Sequence, residues 1–437
     1  MSRRIETAWL AGAVLLLATN AQAQSHLDDG TAASATVLAA TVVPGALSPA
    51  TTLKQAFLAA WRRQPEAQSR QARAEAASAH RQAANSWTPE PPSLELAVKS
   101  DRLNPNLGSR EIEAAVALPL WLPGERARTF VLADAHVRAG ASAVLAAQLR
   151  TAARVRESYW QWQRTQGEHA LALERLGHAR QLAADVAKRF QAGDLARADQ
   201  HQAEGAVANT EALLAEAVSA TGVAFHQLRA LTGAAPVAAL DTRAMAEPMP
   251  EAFNEGAALD SRHAALAALI DRADVARRAA ELALVQTRSN PEMTLALGAD
   301  RGSAGEPYQQ SMALGIRIPL GSDSRSQARR STAQAELIEA EVQLDLDRTR
   351  LQSEVDSARS RLESAQTQAK ASDQRAQLAR ESLGFFQKSY RLGETDLPTR
   401  LRIELDAAEA QRQASRARIE LAAAVSNLRQ ALGLLPE

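Results

Sequence analysis

Long paired helices carrying a small, duplicated β part are the fold class this sequence predicts, and three observations carry that reading. Alanine supplies nearly half of the 46% hydrophobic content while aromatic residues reach only 4%, so the 437-residue chain lacks the bulky side chains of a thick globular core. Proline-free stretches keep apolar residues at steps of three and four, the signature of helices in close coiled-coil contact. Finally, landmarks recur at a fixed separation, which makes the chain a tandem duplication. Lys and Arg together number 50, as do Asp and Glu, so no net basic field exists to hold nucleic acid. Cysteine is absent, which removes disulfides, thiolate chemistry and a lipidated Cys anchor.

Taken in order, residues 1–23 read as a cleavable signal peptide. Arg3 and Arg4 precede an apolar run from Trp9 to Ala18, and Ala21-Gln22-Ala23 closes it. The run is too short for a bilayer anchor, which needs about 20 apolar residues. Residues 24–51, with Pro44, Gly45 and Pro49, read as an extended leader. Residues 52–233 form repeat one, 234–256 a proline-containing linker, 257–433 repeat two, and 434–437 a tail. Leu118-Pro119-Leu120 returns as Ile318-Pro319-Leu320, and Phe190-Gln191-Ala192-Gly193 as Tyr390-Arg391-Leu392-Gly393. Leu228-Arg229-Ala230-Leu231-Thr232-Gly233 returns as Leu428-Arg429-Gln430-Ala431-Leu432-Gly433. Pro92 matches Pro291 one residue short of that spacing, so the indel belongs in a loop.

Within each repeat an Ala-rich helix (residues 66–86 or 262–288) gives way to two stretches of strict alternation. Leu94, Leu96 and Val98, then Ile112, Ala114, Val116, Leu118 and Leu120, line one face of strands at about 92–101 and 109–120. Met293, Leu295 and Leu297, then Met312, Leu314, Ile316, Ile318 and Leu320, do so at about 291–301 and 308–320. Each pair is joined by a polar loop, which makes hairpins. From Glu125 to Phe190 and from Arg325 to Tyr390 no proline interrupts a helix of roughly 100 Å at 1.5 Å per residue. Gly193 and Gly393 then reverse the chain into a second helix. Its heptads run through Ile403, Ala407, Ala410, Ala414, Ala417, Leu421, Ala424, Leu428 and Ala431.

Four apolar-faced strands cannot close a membrane barrel, because bacterial barrels need at least eight, but three copies would supply twelve. A homotrimer in contact with outer-membrane lipid is therefore expected, with the coiled coils extending from the barrel as a tube. The order of elements, the Tyr390-Arg391-Leu392-Gly393-Glu394 turn and the segment from Thr52 to Phe57 together resemble the TolC-type outer-membrane efflux ducts. The likeness covers nearly the whole mature chain. It implies a twelve-stranded transmembrane β-barrel, an α-helical barrel crossing the periplasm, and passive conduction of substrate to the exterior. The implied partners are a periplasmic adaptor and an inner-membrane efflux pump of the resistance-nodulation-division type. The Gly393-Glu394 tip and the missing Cys resemble the heavy-metal subgroup of that family, which implies heavy-metal cations as substrate.

Adaptor docking is expected at the two tips, at Phe190, Gly193, Asp194, Tyr390, Leu392, Gly393 and Glu394. Where some members of the family carry an acidic entrance ring, this chain has Asp199, Gln202, Thr399 and Arg402, a departure from that pattern. Asp194, Asp199, Glu394 and Asp396 stand close to helix starts, where carboxylates serve as caps. Trp87 and Trp121 lie beside strand ends and suit either an interfacial girdle or plain packing. No enzyme is expected: phosphate-loop, nucleophile-elbow and zinc-helix motifs are missing, and the eight histidines are scattered. No cofactor or metal site follows, since His201 with Glu204 is a lone pair of ligand types. The rival is a soluble periplasmic coiled-coil scaffold or adaptor, which would have to hide the apolar strand face elsewhere.

Overall fold

The structure, a computed structural model, describes residues 52–103, 107–233, 246–250, 263–321 and 323–437. The signal peptide, the leader up to residue 51 and all of the linker but residues 246–250 lie outside the described residues. The compact unit Ser48–Glu437 contains every described element.

Helix α1 (Leu53–Arg62) begins with a reciprocal cap: Gln55 N donates to Thr52 Oγ1 and Thr52 N to Gln55 Oε1, both at 3.2 Å. Short α2 (Pro65–Gln68) and α3 (Arg70–Ala84) lead into strands β1 (Ser93–Ser100) and β2 (Arg110–Pro119). Then come α4 (Glu125–Gln191) and α5 (Arg197–Thr232). The second repeat runs α6 (Ala264–Val285), β3 (Glu292–Arg301), β4 (Gln309–Arg317), α7 (Asp323–Arg391) and α8 (Leu397–Ala431). With 67 and 69 residues, α4 and α7 each reach roughly 100 Å.

Of the heptad positions of α8, Ala407, Ala410, Ala414, Ala417, Ala424 and Leu428 are buried, while Ile403, Leu421 and Ala431 are half-buried. Ala410 and Ala414 close on Ala376 of α7, and Ala424, Val425 and Leu428 on Val355, Ala358 and Leu362. Alanine at these seams lets the antiparallel axes approach closely while side chains still interlock. The bulkiest core lies partway along α4, where Val155, Tyr159, Trp160 and Trp162 meet Leu53 and Phe57 of α1, Leu228 of α5 and Ile419 of α8. Trp160 Nε1 donates to Ser426 Oγ at 2.9 Å, which keys the first repeat onto the second. Burial pushes the Tyr159 hydroxyl up to about 12. One stretch of α4 reaches the length and hydropathy of a membrane-spanning helix, against the expectation that no segment beyond the signal peptide approaches one. That helix is tied to α6 by an Arg138–Asp274 ion pair at 2.7 Å.

All four strands join in one antiparallel sheet in the order β1-β2-β3-β4. The two hairpins have the same register. Ser93 pairs with Ala117 in the first, and Glu292 with Arg317, their repeat counterparts, in the second. Strand β4 ends at Arg317, short of the apolar Ile318 and Leu320, because its only partner starts at Glu292 after Pro291. Strand β2 goes two residues further, since Pro119 still faces Glu292.

Candidate functional site

The register aligns the apolar residues across all four strands. Leu96 lies opposite Ala114, which lies opposite Leu297, which lies opposite Met312. One row along, Leu94, Val116, Leu295 and Leu314 do the same. Among the described residues nothing covers this face: Leu96 is 69% exposed, Val98 72% and Leu314 70%. A contiguous apolar face of this size on a water-soluble monomer would be an aggregation surface, whereas in lipid it needs no cover. The opposite face carries Glu95, Lys99, Glu111, Glu113, Thr294, Asp300 and Ser311, with Lys99 Nζ donating to Glu111 Oε1 at 3.1 Å. Both outer strands, β1 and β4, have one unpaired edge.

Far along the helices, the chain reverses at two tips built alike. Asp194 N donates to Arg189 O at 2.9 Å and Gly193 N to Phe190 O at 3.0 Å. Glu394 N and Gly393 N repeat those bonds to Ser389 O and Tyr390 O. Gly193 (φ +84°) and Gly393 (φ +79°) have open space where a Cβ would sit, so left-handed backbone, rather than crowding, is what demands glycine.

Of the tip residues, Gly193, Asp194, Gly393 and Glu394 are exposed, as is Leu392 at 75%. Phe190 is half-buried. Tyr390 is buried with Leu182, Val186, Ala203 and Leu397, between Arg189 and Arg400 at 4.9 and 4.6 Å from its ring. It therefore ties the two hairpins together rather than facing solvent. Asp199 and Asp396 are caps: Asp199 Oδ2 accepts from Ala196 N at 3.1 Å, and Asp396 Oδ1 from Thr399 N at 3.2 Å. Those Thr399 bonds hold the Asp396 carboxyl below its ordinary range. Gln202 and Arg402 line a cavity of about 680 Å³ just behind the tips, walled by α4, α5, α7 and α8. Leu171, His178, Leu213 and Leu405 share its wall.

Two features escaped the sequence. Arg156, 1% exposed, donates to Glu247 through Nε (3.0 Å) and Nη2 (2.7 Å), and through Nη1 to Gln430 Oε1 and Leu434 O. Arg429 closes on the same Glu247 at 3.3 Å and donates to Pro248 O, so the linker segment 246–250 is clamped by charge into the protein interior. The second feature keeps the repeat spacing and could have been found from it. Arg63 packs over Gly233, which caps α5, and His263 over Gly433 after α8. Among the described residues no cluster of three His, Asp or Glu side chains is placed to hold a metal.

The family described as Outer membrane efflux protein matches residues 59–234, the first repeat. A search of curated proteins finds no match. Among solved structures, CusC aligns with a TM-score of 0.73 at 16% identity, covering 88% of this chain and 92% of CusC. The outer membrane protein VceC of Vibrio cholerae aligns at 0.69 and 18% identity, covering 87% and 96%. The open-state outer membrane channel MtrE of Neisseria gonorrhoeae aligns at 0.69 and 15%, covering 87% and 89%. What the chain resembles is a transport duct rather than an enzyme: it has the fold of the outer-membrane channels, and its first repeat matches the outer membrane efflux protein family.

Proposed function

We propose that three copies of this chain close a twelve-stranded barrel in the outer membrane and conduct substrate passively outward through it and a helical tube in the periplasm. The observation that carries the reading is the four-stranded sheet: one face apolar and uncovered, the other polar, and both edges unpaired. Lipid does not tolerate unpaired strand edges, and four strands are too few to close on themselves, so identical neighbours are the direct source of the missing partners. Helices of roughly 100 Å then carry the tips far from the bilayer, where a periplasmic adaptor and an inner-membrane pump of the resistance-nodulation-division type would be met. Export energy belongs to the pump; this chain supplies an enclosed aqueous path.

Heavy-metal cations are the substrate class we favour. The Gly393-Glu394 tip supports it, and so does the polar sheet face, where Glu95, Glu111, Glu113, Glu292 and Asp300 outnumber Lys99 and Arg317. The test is to purify the mature chain in mild detergent, measure its mass, and record conductance in a planar bilayer. A trimer with ion-conducting steps is the expected result, and a monomer stable in plain buffer overturns the duct in favour of a periplasmic scaffold.

A further inference from the structure

The hairpin end of the sheet carries a charge arrangement that the barrel reading leaves unexplained. In the β2–β3 register Arg110 stands directly opposite Arg301, and the next pair along is Glu111 opposite Asp300. Like charges facing each other across strands are destabilising, yet here two such pairs sit back to back, bases on one face and acids on the other. The acidic pair has its counter-charge inside the sheet, since Lys99 donates to Glu111 at 3.1 Å. The basic pair has none: among the described residues no acidic side chain forms an ion pair with Arg102, Arg110 or Arg301. Alternation puts Arg110 on the same face as Ile112 and Val116, and Arg301 on that of Ala299 and Leu297, which is the exposed apolar face.

Arg301 is also held in place. Its Nε donates to Gly108 O at 3.1 Å and its guanidinium lies 5.2 Å from the Tyr308 ring centroid. Arg102 is the repeat counterpart of Arg301, following Asp101 as Arg301 follows Asp300, and is exposed at the start of the other loop. A basic rim directly above an apolar band, with an aromatic side chain beside it, is the geometry that meets a lipid whose headgroup carries phosphate. We propose that Arg110 and Arg301, with Arg102, form a clamp for the phosphates of an anionic lipid in the leaflet at the hairpin end. This inference rests on the sheet being membrane-embedded. The guanidinium N–H groups other than Arg301 Nε, which Gly108 O takes, donate to phosphate oxygens, while the acyl chains run down over Ile112, Leu297 and Met312.

The test uses the full-length trimer in mild detergent and reads its thermal midpoint against added diphosphoryl lipid A, the same lipid stripped of phosphate, and inorganic phosphate. Wild-type protein should be stabilised by the diphosphoryl lipid only, and by less as salt is raised. The double variant Arg110→Gln/Arg301→Gln should remain trimeric with an apparent lipid affinity lower by roughly tenfold or more, the loss expected for two basic residues at an anionic surface. Lys99→Gln, on the opposite face, should keep the wild-type response. Equal stabilisation of the double variant overturns the clamp, as does stabilisation by the phosphate-free lipid. An equal response to inorganic phosphate shows a free-anion site and also overturns it. If no trimer forms at all, it is the barrel reading that has failed.

Discussion

His263 and Arg63 hold the same place in the two halves, each against the glycine that follows a helix. His263 is 2% exposed, and burial holds its imidazole below the ordinary 6.5, Glu354 notwithstanding. A folded-state value below the unfolded one means the unfolded chain binds more protons as pH falls. Stability is therefore intact above about 6.5, declines below it and levels off beneath the folded value. Thermal midpoints at pH 7.5 and 5.5 should fall further for the wild type than for His263→Gln; parallel losses would mean that the acid sensitivity lies elsewhere. Glu247 tests the other buried charge site. Glu247→Ala leaves the buried Arg156 without its carboxylate and Arg429 with Glu437 alone, and should cost about 3–5 kcal/mol in a denaturation curve, far more than Glu394→Ala at the exposed tip.

Among the elements, the strands make the sharpest contrast. Leu295 and Thr294 are neighbours on β3 that point to opposite faces. Leu295→Arg should impair membrane insertion by about 2–4 kcal/mol if its depth is near the midplane, while Thr294→Arg should alter conductance and leave assembly unchanged. Equal tolerance in an insertion assay would deny the strands a lipid-facing side. This alternation was legible in the sequence because a period of two is a local pattern, and the coiled-coil seams were legible for the same reason. The Arg156–Glu247 clamp was not, since its partners lie 91 residues apart and one of them sits in a linker with no period at all. Tyr390 was legible as part of a repeated turn but not as buried, because that depends on Arg189 and Arg400 arriving from other helices. The end of β4 was set by where its partner begins, which no single strand's sequence states.

At the scale of the whole molecule, the tips and the sheet stand at opposite ends of the long helices, so damage at one should spare the other. Leu392→Asp with Glu394→Lys should give trimers of wild-type stability that lose export and adaptor cross-linking. Persistence of both activities would move the docking surface elsewhere. The two halves of one chain also meet in the sheet just as two neighbouring chains must. If the β2–β3 register is carried around the ring by the repeat correspondence, β4 of one copy meets β1 of the next with Leu314 beside Val98, Ile316 beside Leu96 and Arg317 facing Glu95. Each of these three pairs matches apolar to apolar or base to acid. A chain that has no cysteine of its own makes this seam easy to read. Leu314→Cys with Val98→Cys should oxidise into covalently linked trimers on a denaturing gel, and shifting either cysteine by one residue, to the other side of the sheet, should leave monomers.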